Sequence, residues 1–292
     1  MSKSSIQSNC TLVNVVRKAP GGKRTYREES NTFAASKNVS DVKRVTIVVD
    51  VFGTPELKEY KSVQGKFYNW AREVTAPWAD SGQRLLPNSL GAKFEERERE
   101  FCDEADKLKG AAIESIVNLV ERDRVELGDL FVEDRYPSRA ELEEALSLKV
   151  EYAPVPDVDD IRINASKDQV LRIKRQVAEQ ERERTDAALV HSVTRLHVAI
   201  KHTIDKLSNY DGGRKGSFKG EGVVEDLIEL ASLVGAVNVN ADPVLAKAQH
   251  DLEKGFAKIT AQQLRDDPAL REEKAKDAKN ILEGLGGFGA RA

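Results

Sequence analysis

Residues 166–210 read as one continuous helix, and no other feature limits the fold as tightly. Ser166 with Gln169 forms a capping box. Val170, Ile173 and Val177 line the first third, and Val193, Leu196, Ile200, Ile204 and Leu207 line the last. Between them QERERTD (180–186) is charged all round and has to be solvated or bridged to another helix or subunit. At 1.5 Å per residue the helix is roughly 65 Å long, more than a compact domain is wide. An elongated or assembling protein is the expectation.

The rest of the chain supports a mainly α fold with a small antiparallel β-sheet (α+β) and long amphipathic helices. Apolar residues make up 40 %, charged residues 33 % and aromatics only 6 % of the 292 residues, a balance suited to helices with solvated faces. Thr54-Pro55 is an N-cap followed by proline at the first helical position, so a helix starts there and runs to about residue 74. A second covers about 89–127, with Phe94, Phe101, Ala105, Leu108, Ala112, Ile116 and Leu119 on one stripe. Ser138 and Glu141 form another capping box, and Asp242-Pro243 and Asp267-Pro268 open two later helices. Residues 11–16, 45–52, 148–152 and 160–163 carry strand composition. This gives a basic β-hairpin or arm over 1–53, whose first ten residues are expected to be disordered. A long-helix core with the small sheet follows over 54–210, then a flexible basic loop at 211–222 and a helical region over 223–292. Residues 75–87 are expected to form an irregular link.

A net charge of −3 hides segregation. Residues 1–50 hold nine Lys/Arg against four Asp/Glu, 95–160 hold nine against twenty-one, and 161–219 hold thirteen against seven. Such blocks pair internally, pair between subunits or face a polyanion. Catalytic patterns are not found. Gly284, Gly286 and Gly289 spell G-x-G-x-x-G, but a helix precedes them where a dinucleotide site needs a strand. His191, His197 and His202 share a helix at spacings unsuited to one metal, and Asp157, Asp159 and Asp160 lack the EF-hand pattern. Cys10 and Cys102 have no partner motif, and Cys102 falls among apolar helix positions. The expectation is no enzyme, no metal and no cofactor. No apolar run reaches the ~20 residues of a membrane span, and no secretory signal is seen, so a cytoplasmic protein is expected, in a bacterial host if phage-encoded.

What remains is cations interleaved with aromatics, the pattern that single-stranded nucleic acid requires, since bases stack while phosphates pair with cations. Arg17, Lys18, Lys23, Arg24 and Arg27 surround Tyr26 in the arm; Arg214, Lys215 and Lys219 surround Phe218 in the loop. Tyr68, Trp70 and Trp78 flank the TAPW segment, and the two tryptophans are read as core. A solvated linker is the competing reading of the loop.

Three stretches resemble a family of tailed-phage and bacterial proteins classed as a domain of unknown function. They are TAPWADSGQRLLP (75–87), a phrase over 130–163 with YPS, VEYAPVPD and DIRI, and one over 227–288 with LIEL, VNVNADP, LRDDPALR and ILEGLGGF. The first seventy residues lie outside the likeness, and Ile161 stands where the family pattern has phenylalanine. Bacterial relatives neighbour genes for MoxR-type AAA+ ATPases and CobT-like proteins, and phage forms lie among DNA-metabolism genes. The resemblance therefore implies an ATPase partner or a part in phage DNA processing, and no catalytic residues. The expected function is a non-enzymatic, homo-oligomerising, phage-type protein that binds nucleic acid, with a MoxR-like ATPase adaptor or a virion or assembly component as alternatives.

Overall fold

A computed structural model describes residues 6–21, 23–50, 52–79, 82–156, 167–210 and 222–286; of Lys23, Arg24, Val49, Asp50 and Lys167 only the backbone is described. The elements in order are α1 (Ile6–Asn9), β1 (Cys10–Lys18), β2 (Lys23–Tyr26), α2 (Arg27–Ser36), β3 (Ile47–Asp50), α3 (Pro55–Glu73), β4 (Ala76–Pro77), β5 (Arg84–Pro87), α4 (Gly91–Glu126), α5 (Arg139–Ala145), β6 (Ser147–Pro154), α6 (Lys167–Ser208), α7 (Gly222–Val237), α8 (Pro243–Phe256), α9 (Ala261–Asp266) and α10 (Pro268–Leu285). The fold is mainly α with a small antiparallel sheet, as the sequence indicates. Among the described residues no helix is long and apolar enough to cross a membrane.

The chain forms two compact units interleaved in sequence: Met1–Asn14, Trp70–Glu95 and Glu151–Ala292 make the first, Val15–Asn69 and Glu96–Val150 the second. Chain order is therefore no guide to which residues share a core. In the first unit, the later half of α6 packs with α7 and α10, and α8 packs on those two. Ala188, Leu196 and Ile200 of α6 meet Leu227, Leu233, Leu245, Leu252, Phe256 and Ala278 there, all fully buried. The N-terminal residues Ile6, Cys10 and Leu12 belong to the same core, so the expected disorder of residues 1–10 does not extend to 6–10. Their apolar side chains are what hold them. In the second unit, Leu57, Tyr60 and Val63 of α3 pack with Ala105, Ala112, Ile113 and Ile116 of α4 and with Leu142 and Leu146.

Two expectations about strands need correction. The stretch 75–87 is not an irregular link: Ala76–Pro77 and Arg84–Pro87 pair antiparallel, with Ala76 opposite Leu85. The first strand does not form a hairpin with the 45–52 stretch. β1 pairs with β5, Cys10 opposite Pro87 and Leu12 opposite Leu85, in a sheet of order β4-β5-β1-β6. β3 pairs instead with β2, Tyr26 opposite Ile47, in a separate two-stranded sheet. The reason is apolar matching: Leu12, Leu85 and Leu86 are all buried by this pairing. The strand reading of 160–163 and the Ser166 cap lie outside the described residues.

Caps close as local chemistry demands. Asp242 accepts from the amides of Val244 and Leu245, Asp267 from Ala269 and Leu270, and Ser138 and Glu141 complete a reciprocal box. Leu196→Ala, which empties a fully buried site on the helix central to the first unit, is expected to cost about 2–5 kcal/mol in urea unfolding.

Candidate functional site

The second unit presents a cationic, partly apolar surface. Tyr26 ends β2 and is the N-cap residue of α2, whose first turn holds Glu28 and Glu29, favourable near the positive end of a helix. Ser30 and Ala34, one turn apart, are buried on the inner face. Ser30 Oγ donates to the Tyr26 carbonyl and accepts from the Ile47 amide at 2.8 Å, fastening α2 to the hairpin. That inward face turns Phe33 outward. Its ring is 48 % exposed, with Lys37 Nζ 6.0 Å from the centroid. α2 packs against β3 and against a 3-10 turn at Val42–Arg44, which Asp41 caps by accepting from the Lys43 amide at 3.2 Å. Arg27, Lys37, Lys43 and Arg44 are all exposed, and so are Val42 and Val48.

The residues singled out from the sequence divide unevenly. Arg27 belongs to this surface. Arg17 and Lys18 are exposed at the end of β1, and the Arg17 guanidinium lies 3.9 Å from the centre of the Tyr68 ring. Tyr26 is not available to a base: it is 1 % exposed, with the Arg135 guanidinium 4.3 Å from its centroid. It points inward because it sits at the strand-to-helix junction, where the apolar side must face the core. The side chains of Lys23 and Arg24, and all of Arg214, Lys215, Phe218 and Lys219, lie outside the described residues. Phe33 is the aromatic that sequence reasoning missed. Its signal was the spacing of Ser30 and Ala34 behind two glutamates, which marks a helix with Phe33 and Lys37 at the edge of its inner face.

The phrase TAPWADSGQRLLP has a different role. Thr75 Oγ1 donates to the Ala71 carbonyl at 2.5 Å and accepts from Arg84 Nε at 2.7 Å. Arg84 Nη2 donates to the carbonyls of Thr75 (2.8 Å) and Arg72 (3.1 Å). Arg195 of α6 adds bonds to the carbonyls of Arg72 (3.0 Å) and Glu73 (2.7 Å). Two guanidinium forks thus cap the C-terminus of α3, where carbonyls lack helical partners and the helix dipole favours cations. Gly82, at φ 89°, closes the turn between β4 and β5, and Trp78 is buried. Trp70 is half-buried, its ring 5.4 Å from that of Phe94. Burial and then the neighbouring Arg195, Arg84 and Arg72 hold His191 below the usual imidazole range.

Beside Arg195 lies a cleft of about 360 Å³ lined by Glu73, Val198, His202, Asp226 and Glu229 among others. Lys93 Nζ bridges Glu229 at 2.6 Å and Glu225 at 3.7 Å. Desolvation, then Glu229, Glu73 and Glu225, push Asp226 up to about 6, with Lys93 opposing. Among the described residues no three of His, Cys, Asp and Glu are grouped to hold a metal ion. Burial pushes the Cys10 thiol up to about 12. Cys102 is half-buried rather than fully so, and burial followed by Glu98 raises its thiol as well, so both favour the unreactive protonated form.

No family model, no curated protein and no solved structure matches the chain.

Two outcomes are expected. Arg84→Lys keeps the charge but loses the fork, and should lower unfolding free energy by about 1–3 kcal/mol in denaturant titration. Asp226 binds its proton more tightly folded than unfolded, so its contribution to stability is complete below its ordinary pKa of 3.8 and is lost as pH rises towards 6. Asp226→Asn should remove that segment of the stability–pH curve, as read by thermal melts across pH 4–7.

Proposed function

We propose that this chain is a non-enzymatic, oligomerising protein of phage type that binds nucleic acid during DNA metabolism, with single strands as its preferred ligand. One observation carries the reading: an aromatic ring held half-exposed on a folded surface, Phe33 with Lys37 6.0 Å from its centre, in a unit where Arg27, Lys43 and Arg44 are exposed as well. Leaving a large ring in water forgoes apolar burial of about 25 cal/mol per Å², and in a chain with so few aromatics that exposure suggests use. A base has a flat face for Phe33, and its flanking phosphates meet the lysines and arginines; no hydrogen-bond reading of sequence is needed. Arg17 and Lys18 extend the set of exposed cations in the same unit. The resemblance to proteins encoded among phage DNA-metabolism genes is consistent with this ligand.

Fluorescence anisotropy with a labelled single-stranded oligonucleotide tests it. Binding should be retained at about 50 mM salt and fall log-linearly as salt rises. Phe33→Ala should weaken it roughly tenfold, the scale of one lost stacking contact. Lys43→Ala with Arg44→Ala should make the salt dependence shallower. Absence of any binding at the lowest salt overturns the reading.

A further inference from the structure

The middle of α6 buries one side and leaves another in solvent, and the solvent side carries an uncharged row. Ala187, Val190, Thr194 and Val198 recur at helical spacing and all four are exposed. Val190 is 48 % and Val198 63 % exposed. Thr194 Oγ1 donates to the Val190 carbonyl at 2.8 Å, so its hydroxyl is closed within the helix. From Ala187 to Val198 the row runs roughly 16 Å. It carries no charge in a chain where 33 % of residues are charged. A solvated helix side is ordinarily where such charges stand; an exposed apolar row in their place fits a partner's surface.

The end of the row borders the cleft beside Arg195. Val198, Ala199 and Leu230 give that cleft an apolar wall, and Glu73, Asp226 and Glu229 an acidic one. The cations nearby are already engaged. Arg195 holds the carbonyls that end α3, and Lys93 bridges Glu229 and Glu225. Among the described residues, no hydrogen bond or ion pair reaches the carboxylates of Glu73 and Asp226. Desolvation and then the surplus of acids raise Asp226, and a ligand's cation would offset that surplus. Apolar wall and free carboxylates together fit a cation on an aliphatic stem, the stem on Val198 and Leu230 and the head at the carboxylates. A free amine would occupy the cleft of about 360 Å³ and leave the row from Ala187 to Val198 bare. A polypeptide covers both. We infer that this face of α6 and the cleft beside it form a docking site for a protein partner, which lays apolar side chains along Val190 and Val198 and a lysine or arginine against Glu73 and Asp226. The inference goes beyond the nucleic-acid reading and does not depend on it.

The probe is a fluorescein-labelled helical peptide with leucines one turn apart and a lysine a further turn on, titrated with the full chain at low salt and followed by anisotropy. Saturable binding is expected. Twin peptides with glutamate for the lysine, or serines for the leucines, should bind roughly tenfold more weakly. Glu73→Gln and Val198→Ser, both at exposed positions, should each weaken the lysine peptide roughly fivefold with circular dichroism unchanged. Asp226→Lys should reverse the preference, so that the glutamate twin binds better than the lysine peptide. Phe33→Ala should leave every one of these values as it was, which separates this site from the nucleic-acid surface. No saturable binding, or a preference that Asp226→Lys does not change, overturns the inference. So does displacement of the peptide by 1,4-diaminobutane at matching concentration, which assigns the cleft to a free amine. Self-association in sedimentation velocity that Val198→Glu abolishes assigns the face to a second copy and overturns it as well.

Discussion

The first unit depends on the burial of one side of α6. A helix of 42 residues owes little to intrinsic propensity; what holds it is the apolar line from Ala188 through Leu196 and Ile200 to Leu207, covered by α7 and α10. Polar residues share that line without harm. Thr185, Ser192 and Thr203 are buried, and each hydroxyl donates to the carbonyl four residues back, at 2.8, 2.7 and 2.9 Å. Their hydrogen bonds are closed within the helix, so the buried stripe can be narrow without stranding a donor.

Burial of that stripe also fixes where Arg195 must be. One residue before Leu196, it reaches the carbonyls that end α3, and Arg84 reaches them from β5. The acidic cleft next to it follows from the same packing: α7 brings Asp226 and Glu229 against α6, and Lys93 offsets only part of their charge. The unusual protonation of Asp226 is therefore a consequence of helix packing. It does not by itself imply chemistry.

Helix starts were legible in the sequence because a cap is a local device: Ser138 needs only Glu141, and Asp242 needs only the next three residues. α2 and β5 were not legible. RLLP becomes a strand because residues 10–13 lie beside it, a partner more than seventy positions away. α2 is short, and its helical pattern of Ser30 and Ala34 is outweighed locally by glycine, proline and lysine on either side. The site suffered for the same reason. Tyr26 sits among cations in the chain, but its strand position turns it inward, and the ring that reaches solvent, Phe33, belongs to the unforeseen helix.

The distinctive phrase at 75–87 illustrates how a recognisable motif can mislead about where function resides. Its threonine and arginine bond to the end of α3, its tryptophan is core, its glycine makes a turn, and its leucines line a buried strand. Among the described residues of the phrase, these are committed within the fold. The exposed ring and cations of the second unit belong to another part of the chain. Phe33 and the exposed Arg27, Lys37, Lys43 and Arg44 lie within the first seventy residues, on a helix and turn fastened to the β2–β3 hairpin by Ser30 rather than by this phrase.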